Sequence, residues 1–213
     1  ATVLSSVNLV SRHAEVNNRE GIEKHVGRIR SAIRNLTSIL NDFLSLEKLE
    51  QGKVQFKPSP FNVCDLAETV VEEIDGITKK NQSVHLNLHP NRTDDVCIIN
   101  GLDPQLLRNI LFNLLSNAVK YSSEGAPIHL ELKLDDALII TVTDNGIGIP
   151  KDEQQHLFER FFRAKNATNI QGTGLGLNIV KKHVELMGGQ ITFDSVLGKG
   201  TSFVISLPIE PSN

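Results

Sequence analysis

The stretch Asp144-Asn145-Gly146-Ile147-Gly148-Ile149-Pro150 sets one carboxylate immediately before two glycines. A carboxylate accepts hydrogen bonds, and backbone without side chains lets a flat ligand lie against the main chain, so the stretch suits an exocyclic amine such as that of adenine. The same residues are also ordinary turn chemistry at the end of a strand. Upstream, Asn109, Asn113 and Asn117 recur every fourth residue and are followed by Lys120 and Tyr121. On a helix that spacing lines the amides along one face and adds a cation and a phenol a turn further on. Amide oxygens suit a Mg2+ shell that phosphate and water complete, and a lysine ammonium meets phosphate as a point charge. An exposed polar face is the plainer alternative. Downstream, Gly172-Thr173-Gly174-Leu175-Gly176-Leu177 runs into apolar residues Ile179, Val180 and Val184, so glycine-rich backbone at a helix start offers N–H groups to an anion. It is not a phosphate loop, because no Gly-Lys-Ser/Thr follows. Nor is it a dinucleotide fingerprint: the spacing is Gly-x-Gly-x-Gly, and a polar loop precedes it.

The elements that must position these residues follow from the apolar pattern. Ala137-Leu138-Ile139-Ile140-Thr141-Val142-Thr143 predicts a buried strand that delivers Asp144 to its end. Leu106, Ile110, Leu114 and Leu115 predict a helix over 103–121 that presents the asparagines. Asn62 or Asp65 caps a helix carrying Leu66, Val70 and Ile74. Strands are predicted over 83–88 and 96–100, a hairpin over 128–134 and 138–143, helices near Asp152 and Leu175, and strands over 190–194 and 201–207. Helices fall between pairs of strands, not after every one. The expectation is an α+β fold with a mixed, mostly antiparallel sheet and helices on one face.

The first 50 residues read differently. Val3, Val7 and Val10 stand at helical spacing, Asn17-Asn18-Arg19-Glu20-Gly21 interrupts, and Ile22, Val26, Ile29, Ile33, Leu36, Leu40 and Phe43 step by four and three in alternation. That is a heptad seam on a helix reaching Glu50, roughly 43 Å long. Burying each such side chain is worth about 1.5–3 kcal/mol, so a second copy that completes a four-helix bundle is the economical cover and a homodimer is expected. The alternative is a helix packed on this chain's own globular part. The prolines of Phe56-Lys57-Pro58-Ser59-Pro60-Phe61 keep the next stretch extended, which places a domain boundary near Lys53 and divides the chain into 1–53 and 54–213.

The 213 residues, 39% of them apolar, are enough for a real core, and a net charge of −3 gives no footprint for nucleic acid. No apolar run reaches the length of a membrane span and no signal-peptide layout opens the chain, so it is expected to be cytoplasmic without membrane contact of its own. Cys64 and Cys97, distant in sequence and in apolar settings, are expected as buried free thiols. Phe158-Glu159-Arg160-Phe161-Phe162-Arg163 crowds aromatic rings between arginines in a spacing unlike a core helix, and a polar segment separates it from Gly172.

In this order the blocks resemble the catalytic core of a bacterial-type sensor histidine kinase, with its N box at 109–121, G1 box at 144–149, F box at 158–162 and G2 box at 172–177. Gly198-Lys199-Gly200-Thr201-Ser202-Phe203 resembles the last nucleotide-facing turn of that family, and residues 1–50 resemble its dimerisation hairpin. The resemblance implies a helical hairpin followed by an α/β sandwich that binds ATP with Mg2+. It further implies that Asp144 takes the adenine amine with Thr201 in support, while Gly146, Gly148 and Ile149 face the base. Asn113, Lys120 and Tyr121 would meet phosphates or ribose, Asn117 would ligate Mg2+, and Phe158 would belong to the nucleotide site. Arg163 would reach the γ-phosphate, and Gly172, Thr173, Gly174, Leu175, Gly176 and Leu177 would close as a lid. Asn113, Lys120 and Arg163 are the catalytic candidates. In gyrase and the large heat-shock chaperone, which share the nucleotide fold, a glutamate stands at the position of Asn113 to activate water. Asn113 cannot act as that base, so the site suits transfer to a histidine and then to a response-regulator receiver domain.

One part of the family pattern is missing. The acceptor histidine, followed by an acid and then Arg-Thr-Pro, does not occur, and residues 1–6 read like the stretch just C-terminal to it. His13, with Ala14 where the acid belongs, and His25 on the second helix are poor substitutes. The chain is therefore expected to bind ATP without phosphorylating itself, as a fragment of a longer sensor protein. A non-catalytic nucleotide-binding and dimerisation module is the other reading. His85, His89, His129, His156 and His183 lack metal-ligand spacing and are expected at the surface or in packing.

Overall fold

The computed structural model describes residues 2–15, 18–90 and 97–209, in two compact units, Ala1–Glu50 and Gln51–Asn213. In the first unit α1 (Thr2–Glu15) and α2 (Arg19–Glu50) form a hairpin. Helix α2 starts before the apolar seam does, because Asn18 caps it: its side-chain oxygen accepts the Gly21 N–H at 2.9 Å and its carbonyl accepts that of Ile22 at 3.1 Å. The seam residues Ile33, Leu36, Leu40 and Phe43 are 52%, 61%, 56% and 45% exposed, so no described residue of the hairpin covers that stripe. Ala1, Val16 and Asn17 lie outside the described residues.

The second unit is an α+β sandwich. Its elements are β1 (Phe61–Asn62), α3 (Val63–Asp75), β2 (Ser83–Pro90), β3 (Ile98–Ile99), α4 (Pro104–Tyr121), β4 (Pro127–Leu134), β5 (Ala137–Asp144), α5 (Gly176–Leu186), β6 (Gln190–Val196) and β7 (Gly200–Pro208). Five strands form one sheet in the order β2-β4-β5-β7-β6, with β2 parallel to β4 and the other pairs antiparallel. Alternation along each strand sends Ile128, Leu130 and Leu132, Leu138, Ile140 and Val142, and Phe203, Ile205 and Leu207 into one core. There they meet Ala67, Val70 and Ile74 of α3, Ile110, Leu111 and Leu114 of α4, and Val180 and Val184 of α5. The mostly antiparallel sheet with helices on one face is the architecture read from the sequence.

Three local expectations are corrected. The helix near Asp152 is a 3-10 turn, Gln154–His156, within a run of turns from Pro150 to Glu159 in which backbone N–H groups reach the carbonyl three residues back. Tertiary bonds hold it in that tighter form: Gln154 Nε2 donates to the carbonyls of Ile149 and Ser195, each at 3.0 Å, and Glu153 is drawn to Lys165. The strand expected over 96–100 shrinks to Ile98–Ile99, paired with Phe61–Asn62 in a small separate sheet; Val96 lies outside the described residues.

Cys64 and Cys97 are not free thiols but a disulfide. Their sequence separation of 33 hid a close approach that β1 and β3 create: Phe61 pairs with Ile99, the Val63 N–H donates to the Cys97 carbonyl at 2.9 Å, and the two Cα atoms stand 5.8 Å apart. The same zipper ties the preceding segment down. Ser59 N–H donates to the Leu102 carbonyl at 3.1 Å, and Lys57 N–H to Asp103 Oδ2 at 2.9 Å. Asn62, not Asp65, caps α3, accepting from the N–H groups of Cys64 and Asp65.

Candidate functional site

Helix α4 begins at Asp103, whose Oδ1 accepts the N–H groups of Gln105 and Leu106 at 2.9 and 3.2 Å, with Pro104 in the first turn. Leu106, Leu107, Ile110, Leu111, Leu114, Leu115, Ala118 and Val119 bury one side. That leaves Asn109, Asn113 and Asn117 half-buried at its edge, which is not the solvent face of the plainer reading. Asn113 Nδ2 donates to the Asn109 carbonyl at 2.9 Å, so its amide oxygen is the end free to face outward. At the last turn Lys120 Nζ donates to the Tyr121 hydroxyl at 2.9 Å and lies 4.5 Å from the ring centroid.

Strand β5 carries Asp144 to its end, where it is 8% exposed. The backbone N–H of Gly146 donates to its Oδ1 at 2.8 Å, and that of Thr201, its neighbour across β7, also donates to it. Burial raises the Asp144 pKa from the ordinary carboxylate value, and these two N–H groups partly offset the shift. Gly148 is required by conformation and by space. Its φ is +60°, and a Cβ there would run into the Val196 carbonyl. Thr201 therefore supports Asp144 through its backbone, while its hydroxyl pairs with Ser195 Oγ at 2.9 Å. Ser195 also accepts from the Ile149 N–H at 3.0 Å and donates to the Gly200 carbonyl at 3.1 Å, locking the two glycine-bearing turns together.

Four contacts bring the separate motifs to one place. The Ile147 N–H donates to the Tyr121 carbonyl at 3.2 Å, so the turn after Asp144 is bonded to the end of α4. The backbone at Gly172 lies against the Lys120 ammonium, and a Cβ at Gly176 would sit 2.9 Å from Asn113 Oδ1. Gly174, at φ +74°, rests on Phe161, where a Cβ would approach the carbonyl carbon to 2.6 Å. Asp144, Gly146, Gly148, Asn113, Lys120, Tyr121 and the glycine-rich run are thus joined, with Asn117 on the same face of α4.

The phenylalanine-arginine segment is held by contacts of its own. The Phe158 ring packs edge-on against Phe193 with centroids 5.8 Å apart, and its backbone carbonyl accepts from Asn178 at 2.8 Å; Phe158 is a packing residue here. Phe161 is 63% exposed and held at φ +59°, an unfavourable conformation for a bulky side chain. Arg163 turns into its own loop, where Nη2 donates to the carbonyls of Ala167 at 2.7 Å, Thr168 at 3.2 Å and Ile170. It shapes the segment leading to the glycine-rich run.

Other residues of the site carry no sequence signal. Buried Glu153 accepts the Lys165 N–H at 2.9 Å and pairs with its ammonium at 3.2 Å, and Asn166 Nδ2 donates to the Gly148 carbonyl at 2.8 Å. With Ser195, Gln154 and Asn178, they fix loops across the sheet end. At the hairpin, the His13 and His25 rings stack with centroids 5.5 Å apart, and a Cβ at Gly21 would meet the His13 ring at 2.6 Å, so the half-buried His13 ring lies against the second helix.

Residues 102–211 match the family model described as histidine kinase-, DNA gyrase B-, and HSP90-like ATPase. The chain is 35% identical over 196 residues to the circadian input-output histidine kinase CikA of Synechococcus elongatus, an alignment covering 88% of this chain and 26% of that protein. The aligned part of this chain thus spans only 26% of CikA and 22% of the autoinducer 2 sensor kinase/phosphatase LuxQ of Vibrio parahaemolyticus. Among solved structures, full-length ShkA in complex with AMPPNP superposes with a TM-score of 0.72 at 25% identity, covering 91% of this chain and 40% of that one. The mycobacterial sensor histidine kinase MprB superposes at 0.62 with 28% identity, covering 72% of this chain and all of that one (100%).

Proposed function

From a chain that belongs to the histidine kinase-, DNA gyrase B- and HSP90-like ATPase family, as the ATP-binding catalytic domain of a sensor histidine kinase, we infer that this protein holds Mg-ATP for transfer of the γ-phosphate to a histidine. A helical hairpin would supply that histidine, and a response-regulator receiver domain would take the phosphate next. The observation that carries the reading is the bonding of the Asp144 turn to the end of α4, because it sets a buried hydrogen-bond acceptor and a phosphate-facing cation on one frame. Asp144 accepts the adenine amine while Gly146 and Thr201 hold its carboxylate in place. Lys120 and Tyr121 face phosphate, and the residues 172–177 cover it.

The residues present fit Mg2+ only as part of the nucleotide complex. The donors on α4 are amide oxygens, Asn117 first, with no carboxylate among them, and Mg2+ retains waters and phosphate oxygens as its other ligands. Bound there, the ion would neutralise charge on the triphosphate. Asn113 has no proton-accepting carboxylate with which to activate water, which favours transfer over hydrolysis. Arg163 contributes first by shaping the lid; reaching the γ-phosphate requires it to exchange its carbonyl partners for phosphate oxygens. The exposed seam of α2 would pair with a second copy, giving a homodimeric four-helix bundle.

The half-buried His13 ring, stacked on His25 and followed by Ala14 where an acid belongs, favours a chain that does not phosphorylate itself at that position. The test mixes this chain with Mg-ATP and a separate hairpin bearing an acceptor histidine. Acid-labile phosphate should appear on that histidine. ATP binding without any transfer would instead favour the non-catalytic module.

A further inference from the structure

The last turn of α4 carries Lys120 and Tyr121, and its carbonyls have no partner further along the helix. Many helices close this turn with a left-handed glycine. Here the next residue is Ser122, extended at φ −89° and ψ 157°. Side chains from elsewhere close it instead. Lys79 Nζ donates to the carbonyls of Lys120 at 2.9 Å and Ser122 at 2.5 Å. Gln82 Nε2 donates to those of Val119 at 3.2 Å and Ser123 at 3.4 Å. The carbonyl between them, on Tyr121, takes the Ile147 N–H. Every carbonyl from 119 to 123 therefore has a donor, and all of these donors come from outside the helix.

The loop that supplies Lys79 and Gln82 joins α3 to β2 and is itself fixed. The Lys79 N–H donates to Gln82 Oε1 at 3.0 Å, the Gln82 N–H returns to the Lys79 carbonyl at 3.0 Å, and the Gly125 N–H reaches the Lys80 carbonyl at 3.1 Å. With its oxygen so used, the buried Gln82 amide must turn its NH2 toward α4. The ammonium stands at the negative end of the helix dipole, where a cation is favoured.

We propose that Lys79 and Gln82 are positioning residues for the phosphate-facing end of the site, holding the Lys120–Tyr121 pair in the orientation that meets the nucleotide's phosphates. The assignment rests on the Mg-ATP reading above. Asp144 itself is held by Gly146 and Thr201, and the Ile147 bond to the Tyr121 carbonyl does not involve Lys79, so losing the Lys79 cap should weaken phosphate contacts far more than the adenine end.

Tyr121 is the chain's single tyrosine, and there is no tryptophan, so intrinsic fluorescence reports on this turn alone. Mg-ATP affinity, adenosine affinity and Tyr121 emission are measured for wild type, Lys79→Met, Lys79→Gln and Lys79→Arg. Lys79→Met should lose about tenfold in Mg-ATP affinity, the worth of one hydrogen bond to a charged group, keep its adenosine affinity, and change Tyr121 emission. Lys79→Arg should recover most of the loss. If Lys79→Met does not fold, Lys79→Gln, which keeps a donor without the charge, should show the same selective loss at smaller size. An unchanged ratio of ATP to adenosine affinity alongside a lowered unfolding temperature would overturn the assignment and leave an ordinary structural cap. Wild type failing to bind Mg-ATP would overturn the nucleotide reading, and this assignment with it.

Discussion

The place of Asp144 was legible because its chemistry is local: a strand that ends in an acid, then glycines, announces an acceptor at a turn, and the structure buries it there. Ser195, Gln154, Glu153 and Lys79 were not, since each acts through a bond to a residue distant in sequence and none has a distinctive neighbourhood. His183 is a further case. Its type suggested surface or packing, and the structure buries it on α5 to 4% exposure with Nδ1 unpaired. Burial lowers its pKa to about 4, with the Asp103 carboxylate pulling the other way. Below the ordinary imidazole value the unfolded chain takes up a proton that the folded chain refuses until pH falls to about 4. Stability should therefore fall as pH drops through that window, by up to roughly 3 kcal/mol. Urea unfolding at pH 7 and at pH 4.5, run on wild type and His183→Gln, checks this: the variant should lose much less than the wild type between the two.

At the scale of elements, strands and long helices followed from apolar period, and their ends followed from caps such as Asn62 and Asp103. The turn near Asp152 did not, because tertiary bonds from Glu153 and Gln154 chose a 3-10 geometry over an α-helix. The loops around the site were legible as glycine-rich but not in their contacts. Gly148 shows what those contacts demand. Gly148→Ala adds a Cβ at φ +60° against the Val196 carbonyl, so it should cost about 1–3 kcal/mol of stability and displace the turn that would face adenine in the proposed site. Thermal unfolding and Mg-ATP titration of the variant should both be impaired; a stable variant with normal affinity would mean that the turn tolerates the shift.

For the molecule as a whole, the α+β architecture and the hairpin were readable, while the disulfide was not, since nothing in the sequence announced that β1 and β3 pair. Cys64–Cys97 closes a loop across a separation of 33 and cross-links α3 to the approach to α4. Cys64→Ser with Cys97→Ser should cost about 3–4 kcal/mol by chain entropy, and a reducing agent should lower the wild type to the same level without affecting the variant. Urea unfolding with and without reductant measures both. Among the described residues no helix is long and apolar enough to cross a membrane. The account as a whole rests on one nucleotide site keyed by a buried acid, and calorimetric titration of Mg-ATP into wild type and Asp144→Ala addresses it most directly. Wild type should saturate with one nucleotide per chain, and the variant should lose about 1.5–3 kcal/mol of binding free energy. Equal affinity in the two proteins would contradict it.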